Sequence, residues 1–180
     1  YETGINYIYN IGGTVDVSYD NNGGNSEKGN ETIRKMRYID NDADKPGYDF
    51  HGWVLTGYTM DAETHYASIN LKAQYDLITY SITYVLDGGT SNNLPSSYNT
   101  ENSTTIPNPT KEGYTFLGWT GLDLSTATID YTLPQGSTGN KVYPATWKAN
   151  DYKIYLNANG GAVSKTEIDV TFDSAFVLPE

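Results

Sequence analysis

Cysteine is absent from the 180 residues, which excludes a disulfide framework and any thiol nucleophile while leaving the compartment open. Methionine (2), phenylalanine (4) and histidine (2) are nearly as rare. Basic residues are also few: 11 Lys and Arg against 22 Asp and Glu give a net charge of -11. A surface that negative repels phosphate backbones and anionic lipid heads, so a nucleic-acid partner is not expected. No stretch approaches the roughly 18 continuous apolar residues of a membrane helix, and no membrane insertion is expected. The opening YETGINYIYN lacks the basic start and apolar run of a secretory signal and does not begin with methionine, so a mature or excised fragment of a longer protein is expected. What the chain does have is 18 glycines and 17 tyrosines, and its apolar signal lies in Tyr, Val, Ile and Thr, residues suited to pleated, half-buried surfaces.

One nonapeptide occurs twice, as KPGYDFHGW at 45–53 and as KEGYTFLGW at 111–119. A catalytic motif is needed once per active site, whereas a piece of architecture is needed once per module, so the recurrence points to a repeat protein. Other landmarks agree. Alternating runs ending in a glycine pair precede each copy, VDVSYDNNGG at 15–24 and SITYVLDGG at 81–89, and KIYLNANGG at 153–161 is a third. From the second glycine of the pair to the glycine of GYxFxGW is 23 residues in the first copy, Gly24 to Gly47, and 24 in the second, Gly89 to Gly113. Closing segments INLKAQY at 69–75 and KVYPATW at 141–147 end on an aromatic. The predicted organisation is a closing strand of a preceding repeat at 1–13, repeat modules at 14–76 and 80–148, and the front half of a further repeat at 152–180. The junctions are short, which favours a semi-rigid rod.

Alternation is clearest where Ile82, Tyr84 and Leu86 share a face against Thr83, Val85 and Asp87. No segment has a convincing helical period, although the polar stretches leave room for one short helix per module. In the cassette, Tyr114 and Phe116 fall on one face of a strand. A bulge at Gly118 would turn Trp119 back toward them, so that three aromatics fill a small core.

The succession SITYVLDGG, NPTKEGYTFLGW and GNKVYPATW resembles the Listeria-Bacteroides repeat, the B-repeat of internalin-type bacterial surface proteins. The likeness is closest over 81–147, looser over 15–75 and partial over 153–180. It implies a β-rich α+β fold, tandem small β-grasp-like (ubiquitin-like) modules, within long secreted or wall-attached adhesins. It brings no catalytic residues with it.

Candidate chemistry is sparse. Asp40, Asp42 and Asp44 have the first three ligand spacings of a calcium loop, but Lys45 stands where glycine is needed and His51 where the bidentate acid belongs, so a solvated acidic turn is the reading adopted. His51 and His65 are the sole histidines, and Leu117 replaces His51 in the second copy, so the module does not need histidine there. LPQGS at 133–137 lacks the threonine and apolar tail of a wall-sorting signal, and Asn30 and Asn102 head glycosylation sequons. Tyr98, Tyr131 and Tyr143 are candidates for an exposed binding face, with ordinary packing as the default. No catalytic, cofactor-binding or metal-ligating residue is predicted, and no cofactor.

The expected function is that of a non-enzymatic stalk or spacer, with adhesion, at the bacterial surface or outside the cell. Its partner would be a protein or glycan, and end-to-end self-association through the two incomplete ends is a further expectation. The alternative is an accessory carbohydrate-binding module of a secreted glycan-degrading enzyme, which calls for a row of exposed aromatics on one sheet face.

Overall fold

The computed structural model describes residues 14–33, 42–61 and 66–179. They form two compact units. The first comprises Tyr1–Thr79 with Asn99–Glu101 and Gly136–Thr138, and the second comprises Tyr80–Tyr98, Asn102–Gln135 and Gly139–Glu180. Among the described residues every regular element is a strand, so the helical part of the expected α+β fold has no counterpart there. The predicted closing strand at 1–13, with the self-association it suggested, lies outside the described residues, as do Asp40 and His65.

In the first unit, β1 (Thr14–Asp20), β2 (Asn25–Ser26), β3 (Glu31–Ile33), β4 (Ala43–Asp44), β5 (Tyr48–Asp61) and β6 (Tyr66–Leu77) follow one another. Four of them make a sheet in the order β3-β1-β6-β5, and β2 pairs separately with β4. The long strands β5 and β6 are antiparallel, while β1 and β6 run parallel, Val17 opposite Ile69. In the second unit come β7 (Tyr80–Val85), β8 (Ser97–Tyr98), β9 (Thr104–Thr105), β10 (Tyr114–Gly121), β11 (Leu124–Thr128), β12 (Thr132–Leu133) and β13 (Lys141–Ala149). Their sheet order is β11-β10-β13-β7-β8, with β7 parallel to β13, Tyr84 opposite Tyr143, and β10 antiparallel to β13. Without β11 this is the first unit's sheet again. A hairpin of β14 (Asp151–Tyr155) and β15 (Glu167–Thr171) completes the chain.

The glycine pairs explain how each opening strand turns. Asn22 and Gly23 have φ of 49° and 81°, Asp87 and Gly88 of 48° and 82°, Asn159 and Gly160 of 48° and 92°. Two successive positive φ values favour Asn or Asp followed by Gly, which is what all three turns carry. The second glycine has a different task. A Cβ on Gly24 would overlap the Tyr75 hydroxyl, and one on Gly89 would overlap the Trp147 ring. The closing aromatic lies across the turn and donates a hydrogen bond to its first carbonyl, Tyr75 Oη to Asn21 O at 3.1 Å and Trp147 Nε1 to Leu86 O at 3.0 Å.

Each unit has its own core. Val17, Ala43, Trp53, Leu71 and Ala73 are buried in the first, flanked by Tyr19, Phe50, Leu55, Ile69 and Tyr75. Ile82, Tyr98, Ile106, Trp119, Leu133, Tyr143 and Ala145 are buried in the second. Alternation along β7 places Ile82 inside and Ser81, Thr83 and Val85 outside, in agreement with the pattern of the sequence.

Candidate functional site

The repeated nonapeptide lies on β5 and β10, in the same setting each time. The ladder slips one residue between Phe50 and Gly52 and again between Phe116 and Gly118. The bulge expected at the glycine is therefore present. Gly118 has φ of 135°, and a Cβ there would overlap the backbone of Ala127 and Thr128. Beyond the bulge the tryptophan turns inward: Trp53 is 6% exposed and Trp119 0%. Phe50 meets Trp53 edge-on at 5.6 Å, and Phe116 meets Trp119 edge-on at 5.3 Å.

The cassette tyrosine departs from expectation. Neither Tyr48 nor Tyr114 belongs to the core cluster of its unit. Each lies instead under the cassette's lysine, with Lys45 Nζ 4.2 Å from the Tyr48 centroid and Lys111 Nζ 4.1 Å from that of Tyr114. The core therefore takes two cassette aromatics, and the first four letters, Lys-x-Gly-Tyr, form a separate arrangement. The fixed lysine three residues before each tyrosine was the available signal for it.

Tyr98, Tyr131 and Tyr143 do not form an exposed face. Tyr98 and Tyr143 are buried at 5% and 0%, and Tyr131 packs against their cluster. Their hydroxyls serve the interior: Tyr98 donates to Gly139 O, and Tyr143 and Tyr131 both donate to Asp123 Oδ2, at 2.8 and 3.0 Å. Lys141 Nζ lies 3.7 Å from the same oxygen. Burial would raise the Asp123 carboxyl, but the hydrogen bonds from Tyr143, its own backbone and Tyr131, together with the Lys141 charge, hold it below the usual carboxylate range. Burial and the Asp123 hydrogen bond push the Tyr143 hydroxyl well above its ordinary value. Sequence reasoning missed Asp123, because a lone Asp in the Gly-Leu-Asp-Leu turn has no motif around it.

The other candidates stay apart. His51 Nε2 lies 2.9 Å from Asp76 Oδ2 on the open surface, with no hydroxyl or thiol nucleophile in that pair. Asp42 and Asp44 flank buried Ala43 and are exposed themselves. Among the described residues no three His, Asp or Glu side chains are grouped as a metal site would require. A cavity of about 310 Å³ is lined by Thr90, Ser91, Asn92, Asn93, Pro107, Asn108 and Thr110. It offers hydroxyls and amides but no acid or base. Tyr152 and Tyr155 are exposed at 48% and 74%, yet they are three residues apart on β14 and so face opposite ways, which is not the row of aromatics the carbohydrate-module reading requires.

Two sheets of one strand order, each seated on the same bulged cassette, define a tandem β-repeat protein. The Listeria-Bacteroides repeat domain matches residues 16–74 and 80–143, and the chain belongs to that family. It is similar to a protein of Evansella cellulosilytica named "Putative membrane protein", 28% identical over 142 residues that cover 76% of this chain and 21% of the relative. A second protein of that organism, "Putative Gly-rich membrane protein", is 28% identical over 146 residues, 75% of this chain and 16% of the relative. The chain thus spans about a fifth or less of the length of these relatives. No solved structure matches it. Among the described residues no helix is long and apolar enough to cross a membrane.

Proposed function

We propose that the chain is a non-enzymatic tandem-repeat segment of a bacterial cell-surface or secreted protein, serving as a stalk or spacer and presenting a surface for adhesion. Its modules are β-grasp-like and correspond to residues 14–76 and 80–148, with 152–180 opening a further repeat. The observation that carries this reading is the duplicated sheet, in which the recurring residues go into turns, bulges and core rather than into convergent polar groups. Parallel pairing of the first and last strand of each module supports the β-grasp likeness. The relatives' names support a location at the cell envelope.

The test is accessibility on living cells. Protease added to intact cells of the producing bacterium should release fragments of this segment, detected by mass spectrometry, while a cytoplasmic control stays whole. Protection equal to the control's would overturn the surface assignment. An adhesive role predicts that the purified segment, coated on beads, binds host cells or matrix above the level of an equally acidic protein.

A further inference from the structure

The Lys-x-Gly-Tyr half of the cassette is not used by the core, and in both units something sits on it. In the second unit the Phe172 ring covers Gly113 so closely that a Cβ on this glycine, whose φ is 75°, would overlap the ring. Tyr114 meets Phe172 edge-on at 5.5 Å and donates to Asp173 Oδ2 at 3.2 Å. Asn150 ties the two sides together: its N–H donates to Gly113 O at 2.9 Å and its carbonyl accepts from the Phe172 N–H at 2.8 Å. The Thr115 hydroxyl holds its side chain at 2.6 Å. From the other side Lys111 lies over Tyr114, with Asp87 3.7 Å from its ammonium.

The first unit shares the glycine, tyrosine and acid contacts, without the Asn150-like bridge to the dipeptide. Ile78 N–H donates to Gly47 O at 2.9 Å, a Cβ on Gly47 would overlap the Thr100 side chain, and Tyr48 donates to Glu101 Oε1 at 2.8 Å. Thr100 and Glu101, grouped with the first unit, follow the strand Ser97–Tyr98 after one intervening residue, Asn99, and Phe172 and Asp173 follow the strand Glu167–Thr171. Each pair is a variable side chain and then an acid. Tyr98 pairs with Tyr80 and Val170 with Tyr152, so both dipeptides also begin two residues past equivalent ladder positions.

From this recurrence we propose that Lys-x-Gly-Tyr is a docking socket whose partner is the x-Asp/Glu dipeptide following the second strand of the next repeat in the chain. The bare glycine makes room for the first side chain of the dipeptide. The tyrosine hydroxyl, steadied by the lysine, selects the acid, since a phenol donates a stronger hydrogen bond to a carboxylate than to a neutral group. The lysine charge disfavours a cation in that place. Such a socket fixes the dipeptide without adding to the hydrophobic core of the unit it sits in, and it holds wherever the protein resides, independently of the surface location proposed above.

Hydrogen exchange on the full 180-residue chain tests it, with the Asn150 and Phe172 amides as reporters. Replacing both residues of the dipeptide, Phe172→Ala with Asp173→Lys, should speed exchange at both amides by about tenfold or more, with the amides of β10 and β13 unchanged. A second variant, Phe172→Thr with Asp173→Glu, installs the pair found at 100–101 and should stay within about threefold of the parent. Both variants alter a half-exposed strand end, so the unit remains folded. Unchanged exchange in the first variant overturns the docking, and equally fast exchange in the second overturns the shared code.

Discussion

At the scale of single residues, Trp119 is the side chain on which the second unit depends most. It is fully buried, with Phe116 and Tyr84 each 5.3 Å away, and its indole N–H has no acceptor among the described residues. Trp119→Ala should lower stability by roughly 3–5 kcal/mol in a urea titration. Trp119→Phe should cost clearly less, because it keeps most of the apolar contact and removes a donor that is buried without a partner. The tyrosines respond to base. Burial pushes Tyr84 up to about 12, and Tyr143 is raised as well, from an ordinary value of about 10 in the unfolded chain. A folded pKa above the unfolded one contributes stability that is complete below about pH 10 and is lost as pH climbs through the folded value. Absorbance of tyrosinate near 295 nm should therefore rise in two stages, with the second coinciding with loss of near-ultraviolet dichroism. Asp123 works in the opposite sense. Its depressed pKa contributes stability above the ordinary carboxylate value of about 3.9, lost as pH falls through the folded value. Asp123→Asn should consequently be less stable than the parent at pH 7, and the gap in urea midpoint should narrow at acid pH.

At the scale of elements, the turn and the strand that closes over it act as one device. Trp147→Phe removes the bond to Leu86 O, a loss of about 0.5–1.5 kcal/mol, together with the Cζ2–Cη2 edge of the indole that lies over Gly89. Gly89→Ala is expected to cost more, since the new Cβ overlaps the Trp147 ring, and the two effects should fall short of additive when combined. Thermal unfolding of the two single variants and the double variant measures that coupling. These devices were largely legible beforehand. Asn-Gly and Asp-Gly announce their backbone geometry, the spacing to GYxFxGW ties turn to cassette, and a glycine before a tryptophan announces a bulge. Three features were not legible. The parallel contact of β1 with β6 and of β7 with β13 joins residues 52 and 59 positions apart, as Val17 to Ile69 and Tyr84 to Tyr143, and no local pattern encodes it. The cassette tyrosine reads as core by its type, yet alternation says only which residues share a face, not what that face meets. The hydroxyls of Tyr131 and Tyr143 converge on Asp123 through the tertiary fold alone.

At the scale of the whole molecule, charge is the dominant global property. The chain carries a surplus of 11 negative charges, and several ion pairs among the described residues are exposed: Lys153 with Glu167 and Asp169, Lys148 with Asp151, His51 with Asp76. Exposed pairs of this kind contribute about 0–1 kcal/mol each, whereas repulsion among unpaired carboxylates acts over the full screening length. That length shrinks from about 30 Å at 0.01 M salt to about 8 Å at 0.15 M. Screening therefore removes more repulsion than attraction, and the folded chain gains from it. The melting temperature should rise when NaCl is raised across this range at pH 7, and rise less at a pH near the calculated isoelectric point of 4.4, where the net charge is small. Differential scanning calorimetry at the two pH values provides the comparison. A melting temperature that fell with salt at pH 7 would mean that ion pairing outweighs the surplus, and Lys153, shared between two carboxylates, would be the first place to look.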